Sequence, residues 1–192
     1  MKRIILIAAM AVASVAASAQ NFTFGYVDFT ELTQLTPKAD SARVAIEENQ
    51  KMHEEILVDM YEEYQTMTRE YQQKAQSWTP AARESKEREI MDKQSRIEQS
   101  QQDFQMELQQ LQQNFQAELF AAAQEAVTQL AKAKGVSVVF DKNSLLYLDP
   151  AQGVDLGPEA RVMLNIPEGR TLAALQAELQ AKAQAARAGM GR

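Results

Sequence analysis

The sequence predicts a mainly α protein with a small β body, in which a long antiparallel coiled-coil helical hairpin, an arm, is closed at its base by a short-stranded sheet. Three observations predict it. Apolar residues recur in steps of four and three along two stretches of about four heptads each, the pattern of knobs-into-holes helix pairing. The pair Thr79-Pro80 separates those stretches, an N-cap residue followed by a proline at the first helical position. Short runs of strand-forming residues stand before the first stretch and after the second.

The N-terminus reads as a cleaved secretory signal over residues 1–19. Lys2 and Arg3 precede the apolar run "IILIAAMAVASVAA", and Ala17-Ser18-Ala19 gives a small-x-small cleavage site. The run is too short for a stable membrane span, so the alternative of a retained anchor is disfavoured. The chain has no cysteine, which excludes disulfides, thiolate metal sites and a lipid-modified cysteine. Loss of Lys2 and Arg3 leaves 18 basic against 26 acidic residues, a formal charge of −8. A chain this acidic lacks the basic footprint of a nucleic-acid binder.

"FTFGYVDF", Phe22 to Phe29, alternates as a strand. A short helical turn follows and breaks at Thr36-Pro37, because the residue before proline is pushed out of the helical region. Helix is expected from about Ala39 to Ser77, then from Thr79-Pro80 to Lys134, with Gly135 as the C′ residue. At ~1.5 Å per residue these helices would be about 60 and 80 Å long. No globular core is that long, so each must pair along its length.

The first seam is His53, Leu57, Met60, Tyr64, Met67, Tyr71, Lys74 and Trp78. The second is Ile90, Gln94, Ile97, Gln101, Phe104, Leu108, Leu111 and Phe115. The expected register sets Tyr71 beside Ile90, Tyr64 beside Ile97 and Leu57 beside Phe104, with Lys74 opposite Glu87. A wider loop would put Tyr64 beside Phe104. Polar residues interrupt both seams, and Met52, Ile56, Val58, Tyr61, Met91 and Met106 lie off them.

After the helices, Val136–Asp141 and Leu145–Leu148 read as strands around the polar turn "DKNS". The helical hairpin would bring Gly25-Tyr26-Val27 back beside Val136–Phe140. Since "VSVVF" is apolar on both faces, burial on both sides is expected. Three short strands are marginal alone and their edges are open, so several copies would associate through Tyr26, Val27, Val136, Val138, Val139 and Phe140. "DLGPEARVMLNI" would form a covering helix starting at Pro158. The body is thus residues 20–38 and 135–166, the arm 39–134. An Ala/Gln-rich tail, 167–192, carries one weak apolar stripe, Leu172, Leu175 and Leu179; a helix is compatible with it, its last turns are expected to fray, and it is assigned no role.

These pieces together, "FGYVDFTELTQLTPKAD", the helical hairpin with its tip near "SWTPAARESKEREI", and "GVSVVFDKNSLLYLDP" with "DLGPEARVML", resemble the Skp/OmpH family of periplasmic chaperones from about Phe22 to Ile166. The resemblance implies a homotrimer with three arms around a cavity. It implies an ATP-independent holdase that keeps unfolded outer-membrane proteins from aggregating. It departs from the family's basic members in charge: Glu47 to Glu63 carries seven acids against Lys51 alone.

Adaptable binding of unfolded chains suits unbranched, polarisable methionine. Met52, Ile56, Tyr61, Met91 and Met106 are therefore the candidate client contacts, the alternative being that they fill gaps between helices. Trp78 reads as a cap on the seam's end, and His53 as a polar insertion rather than a pH switch. Glutamates on a helix make a poor calcium site. With one histidine, no cysteine and no phosphate loop, the chain is expected to be no enzyme and to need no cofactor or metal. A structural spacer or adaptor of the envelope is the competing reading.

Overall fold

In a computed structural model, residues 23–190 are described; the expected signal segment, 1–19, lies outside them. The elements in chain order are β1 (Phe24–Val27), α1 (Phe29–Gln34), α2 (Pro37–Lys74), α3 (Pro80–Ala133), β2 (Val138–Asp141), β3 (Val154–Asp155), α4 (Gly157–Met163) and α5 (Leu172–Met190), with 3-10 turns at Ala75–Ser77 and Lys142–Ser144. They form two compact units. Thr36–Ala121 is one; the described residues up to Leu35 and from Ala122 onward are the other.

Helix ends follow their local chemistry. The Thr36 hydroxyl accepts from Ala39 N–H at 3.0 Å, and Pro37 opens α2. Thr36-Pro37 therefore starts the long helix. Thr79 does the same for α3, accepting from Ala82 N–H at 3.3 Å. At the far end of α3, Gly135 N–H reaches Lys132 O at 3.3 Å and Val136 N–H reaches Ala131 O at 2.9 Å. Those two bonds, with Gly135 at φ +66°, are a Schellman closure. Asn165, at φ 55°, closes α4 through the same pair of bonds, Asn165 N–H to Val162 O at 3.0 Å and Ile166 N–H to Arg161 O at 2.9 Å.

The sheet is parallel, in the order β2-β1-β3. Phe24 pairs with Val138, Tyr26 with Phe140, and Gly25 with Val154. β1 and β2 thus meet as expected, but the second strand of the expected hairpin does not form. Leu145–Leu148 is not a strand; Val154–Asp155 takes that place on the other side of β1. The cause is a set of carboxylate bonds. Asp141 accepts from Asn143 N–H at 3.3 Å, turning the chain into a 3-10 turn, and Asn143 Nδ2 donates to Asp28 at 2.8 Å. The chain then leaves the sheet, with Leu146 and Tyr147 fully exposed.

The core of this unit joins Val27, Leu32, Leu35, Ala123, Val127, Leu156, Ala160, Ile166 and Leu175. Gly25 is required beneath it: a Cβ there would lie 3.0 Å from Leu156 Cδ1 and 3.2 Å from Val136 Cγ1. The helix begun by Pro158 covers the core through Ala160, as expected. The tail forms a helix whose apolar stripe has a place in this core. α5 is docked by Leu172 and Leu175, and Arg161 fastens its approach by donating to Arg170 O at 2.6 Å and to Glu31 at 3.0 Å.

In the other unit, contacts between α2 and α3 run in opposing sequence order. Lys38 meets Glu118 at 2.8 Å, Asn49 Nδ2 donates to Glu107 at 3.0 Å, and Gln101 Nε2 donates to the Tyr61 hydroxyl at 3.1 Å. Nearer the turn, Lys93 bonds Glu63 and Tyr71 bonds Glu87. The expected register is corrected by about one helical turn. Phe104 stacks on His53, ring centroids 4.1 Å apart, rather than facing Leu57. Lys74 bonds Glu70 on its own helix, leaving Glu87 to Tyr71.

The reason is a break in the heptad. Lys74 and Gln94 are exposed, while Ala75 and Lys93 are half-buried in their stead. On α2 the half-buried positions Asn49, His53 and Leu57 are two successive four-residue steps. An inserted four-residue step is a stutter, which shifts every later layer against a strict seven-residue count.

Candidate client-binding surface

The five candidate contacts all lie within the helix pair and are exposed: Met52 51%, Ile56 42%, Tyr61 43%, Met91 61% and Met106 62%. Seam spacing explains this, because residues one or two positions off a half-buried row point to solvent. Tyr61 is held more firmly than the methionines by the bond from Gln101 to its hydroxyl. Val58 is likewise 56% exposed.

The acids of the Glu47–Glu63 stretch lie on α2 between and beside these residues in sequence. Asp59, Glu62 and Glu63 border a shallow groove with Thr66 and Met67. Among the described residues no group of three or more His, Asp or Glu side chains is placed to hold a metal ion. Near the turn, Trp78 sets its ring edge against Tyr71 at 5.9 Å. The carboxyl of Glu70 is held below its ordinary value by the hydrogen bond and charge of Lys74, and Lys86 is raised by the same kind of bond to Glu89.

The residues expected to join copies divide in two. Tyr26, Val27 and Val136 are buried in the chain's own core, and Val139 packs against it. Val138 and Phe140 point the other way, 39% and 38% exposed, with Phe24 edge-on to Phe140 at 6.0 Å. The strand is thus apolar on both faces but covered on one. Leu146, Tyr147 and Val162 add exposed apolar surface that the sequence reading missed. Strand grammar had assigned Leu146 and Tyr147 to a sheet, and nothing in the α4 pattern marks Val162 as outward.

Two long helices with contacts along an interrupted seam, together with a three-stranded parallel sheet and apolar side chains left on the surface, define a mainly helical protein with a small parallel sheet. Among the described residues no helix is long and apolar enough to cross a membrane. The chain belongs to the family described as Outer membrane protein (OmpH-like), which it matches over residues 23–159. None of the curated proteins matches the chain in sequence.

Proposed function

We propose that the protein is an ATP-independent holdase of the periplasm, one that binds unfolded outer-membrane proteins and prevents their aggregation before insertion. The observation that carries this reading is the exposed, off-seam apolar set on the helix pair of an OmpH-like chain. Flexible, methionine-bearing surface can adapt to many sequences, which is what a promiscuous binder needs. In this reading α2 and α3 form an antiparallel coiled-coil arm. Three copies associate through the apolar side of the body, around Val138, Phe140, Leu146 and Tyr147. A patch of that kind on a small unit marks an interaction surface, and β2 and β3 both leave a strand edge to be covered.

The acidic arm sets this chain apart from basic relatives, so capture rests on apolar contact rather than on attraction of anionic clients. No catalytic step, cofactor or nucleic acid enters the reading. The test is light scattering of a urea-unfolded outer-membrane barrel protein diluted into buffer with the purified chain. A holdase suppresses the scattering at near-stoichiometric oligomer without ATP. Undiminished scattering would leave the spacer or adaptor reading in its place.

A further inference from the structure

Five methionines lie on the two long helices, and the seam divides them. Met60 and Met67 stand in it on α2 and are half-buried. Met52, Met91 and Met106 stand off it and are exposed. The chain contains no cysteine, so no thiol competes for a two-electron oxidant, and the exposed thioethers are the sulfurs open to it. Susceptibility to such oxidation follows exposure, which separates the two sets. Met163, 42% exposed, lies apart from them on α4, in the other unit.

Oxidation of the two sets has different consequences. A hydroperoxide gives its terminal oxygen to the sulfur. The S–O bond forms as the O–O bond breaks, the sulfur is oxidised by two electrons, and the remainder leaves as water or an alcohol. The product, a sulfoxide, is polar. In the seam that oxygen would be drawn out of water between the helices, which is unfavourable. At Met52, Met91 and Met106 it stays in water, and the helix pairing is untouched. What is lost there is a flexible apolar side chain, the property that suits these positions to varied unfolded sequences. We propose, building on the holdase activity proposed above, that Met52, Met91 and Met106 form an oxidation switch. A hydroperoxide converts them to sulfoxides and turns client capture down while the fold is kept, and reduction of the sulfoxides restores it.

The test treats the purified chain with hydrogen peroxide. Peptide mass spectrometry should find sulfoxide at Met52, Met91 and Met106 several-fold sooner than at Met60 and Met67, with helicity by circular dichroism unchanged at that stage. Suppression of scattering by a urea-unfolded outer-membrane barrel protein should then fall several-fold. It should return on treatment with methionine sulfoxide reductases and dithiothreitol. Met52→Leu/Met91→Leu/Met106→Leu keeps apolar side chains at exposed helical positions, so it should hold client equally before and after peroxide. Met163 remains oxidisable in that variant, which separates its effect from that of the three. Full holding after the three are oxidised overturns the switch, as do equal oxidation rates in the two sets. So does a peroxide-induced loss in the leucine variant as large as in the unaltered chain. Failure of the unoxidised chain to suppress scattering overturns the holdase reading itself, and the switch falls with it.

Discussion

The hydroxyl of Tyr71 donates a hydrogen bond to the carboxylate of Glu87, its partner 16 residues on and across the turn between α2 and α3. That bond, followed by desolvation and the charge of Glu87, raises the tyrosine above its ordinary value of 10.0, with Arg83 opposing. A group whose folded value is raised contributes stability that is complete below the unfolded value and is lost as pH climbs through the folded one. Pairing near the turn should therefore hold to pH 10 and loosen above it. Trp78, the only tryptophan, reports this through its edge contact with Tyr71. Its fluorescence should be quenched with a midpoint above 10.0, and Tyr71→Phe should remove that step.

Gly135→Ala should cost about 1–2 kcal/mol in urea unfolding, because a Cβ in the left-handed region crowds the following carbonyl. Nothing lies within 4 Å of the added atom, so the backbone conformation at φ +66° is the whole cause. Gly135→Asn should cost less, since asparagine visits that region more readily.

Leu175→Ala should destabilise the unit that holds the sheet by about 2–4 kcal/mol, the range for removing a buried leucine side chain. Leu179→Ala, one turn later and 41% exposed, should change stability by less than about 0.5 kcal/mol. Thermal unfolding followed by circular dichroism separates the two. Equal effects would mean that α5 is not docked as described.

Replacing Met52, Ile56, Tyr61, Met91 and Met106 together by serine should weaken suppression of client aggregation several-fold while helicity is kept. The five are off the seam and exposed, so their loss removes contact surface rather than helix pairing. Light scattering and circular dichroism on the same samples check both halves. Full holding activity in a folded variant would remove these residues from the client surface.

In the proposed oligomer, Phe140→Asp should release single subunits at micromolar concentration, seen by light scattering coupled to size exclusion. The side chain points away from the chain's own core, so a charge there is tolerated by the subunit and rejected by a dry interface. Retention of the assembled state would place the contact elsewhere.

Much of this architecture was legible because it rests on local rules. Thr79-Pro80 and Gly135 mark where the second long helix begins and ends, and the folding back of the two helices brings Val136–Phe140 beside Gly25-Tyr26-Val27. The register was not legible. It depends on Phe104 finding His53, and a strict heptad count carries the eye past the four-residue step that puts them together. The third strand was missed for a related reason. "SLLYLDP" has better strand grammar than "GVD", but bonds from Asn143 to Asp141 and Asp28 decide where the chain goes. The leucine stripe of α5 was visible but its docking was not: two leucines in an alanine-rich helix are enough when Arg161 has already fixed the segment leading to it.

β1 lies at the centre of the sheet, yet it is the first of the sheet's three strands to be synthesised, and both of its neighbours come after the long helices. The amide of Phe29 must wait for Asp141, 112 residues later in the chain. The helix pair has no such delay, because its closing contacts near the turn span as few as 16 residues. Loop closure therefore favours zipping of the helices from the turn outward before the sheet can assemble. Until Val138–Asp141 is available, Phe24–Val27 remains an unpaired apolar segment, and a chain cut short before Val138 would keep it so.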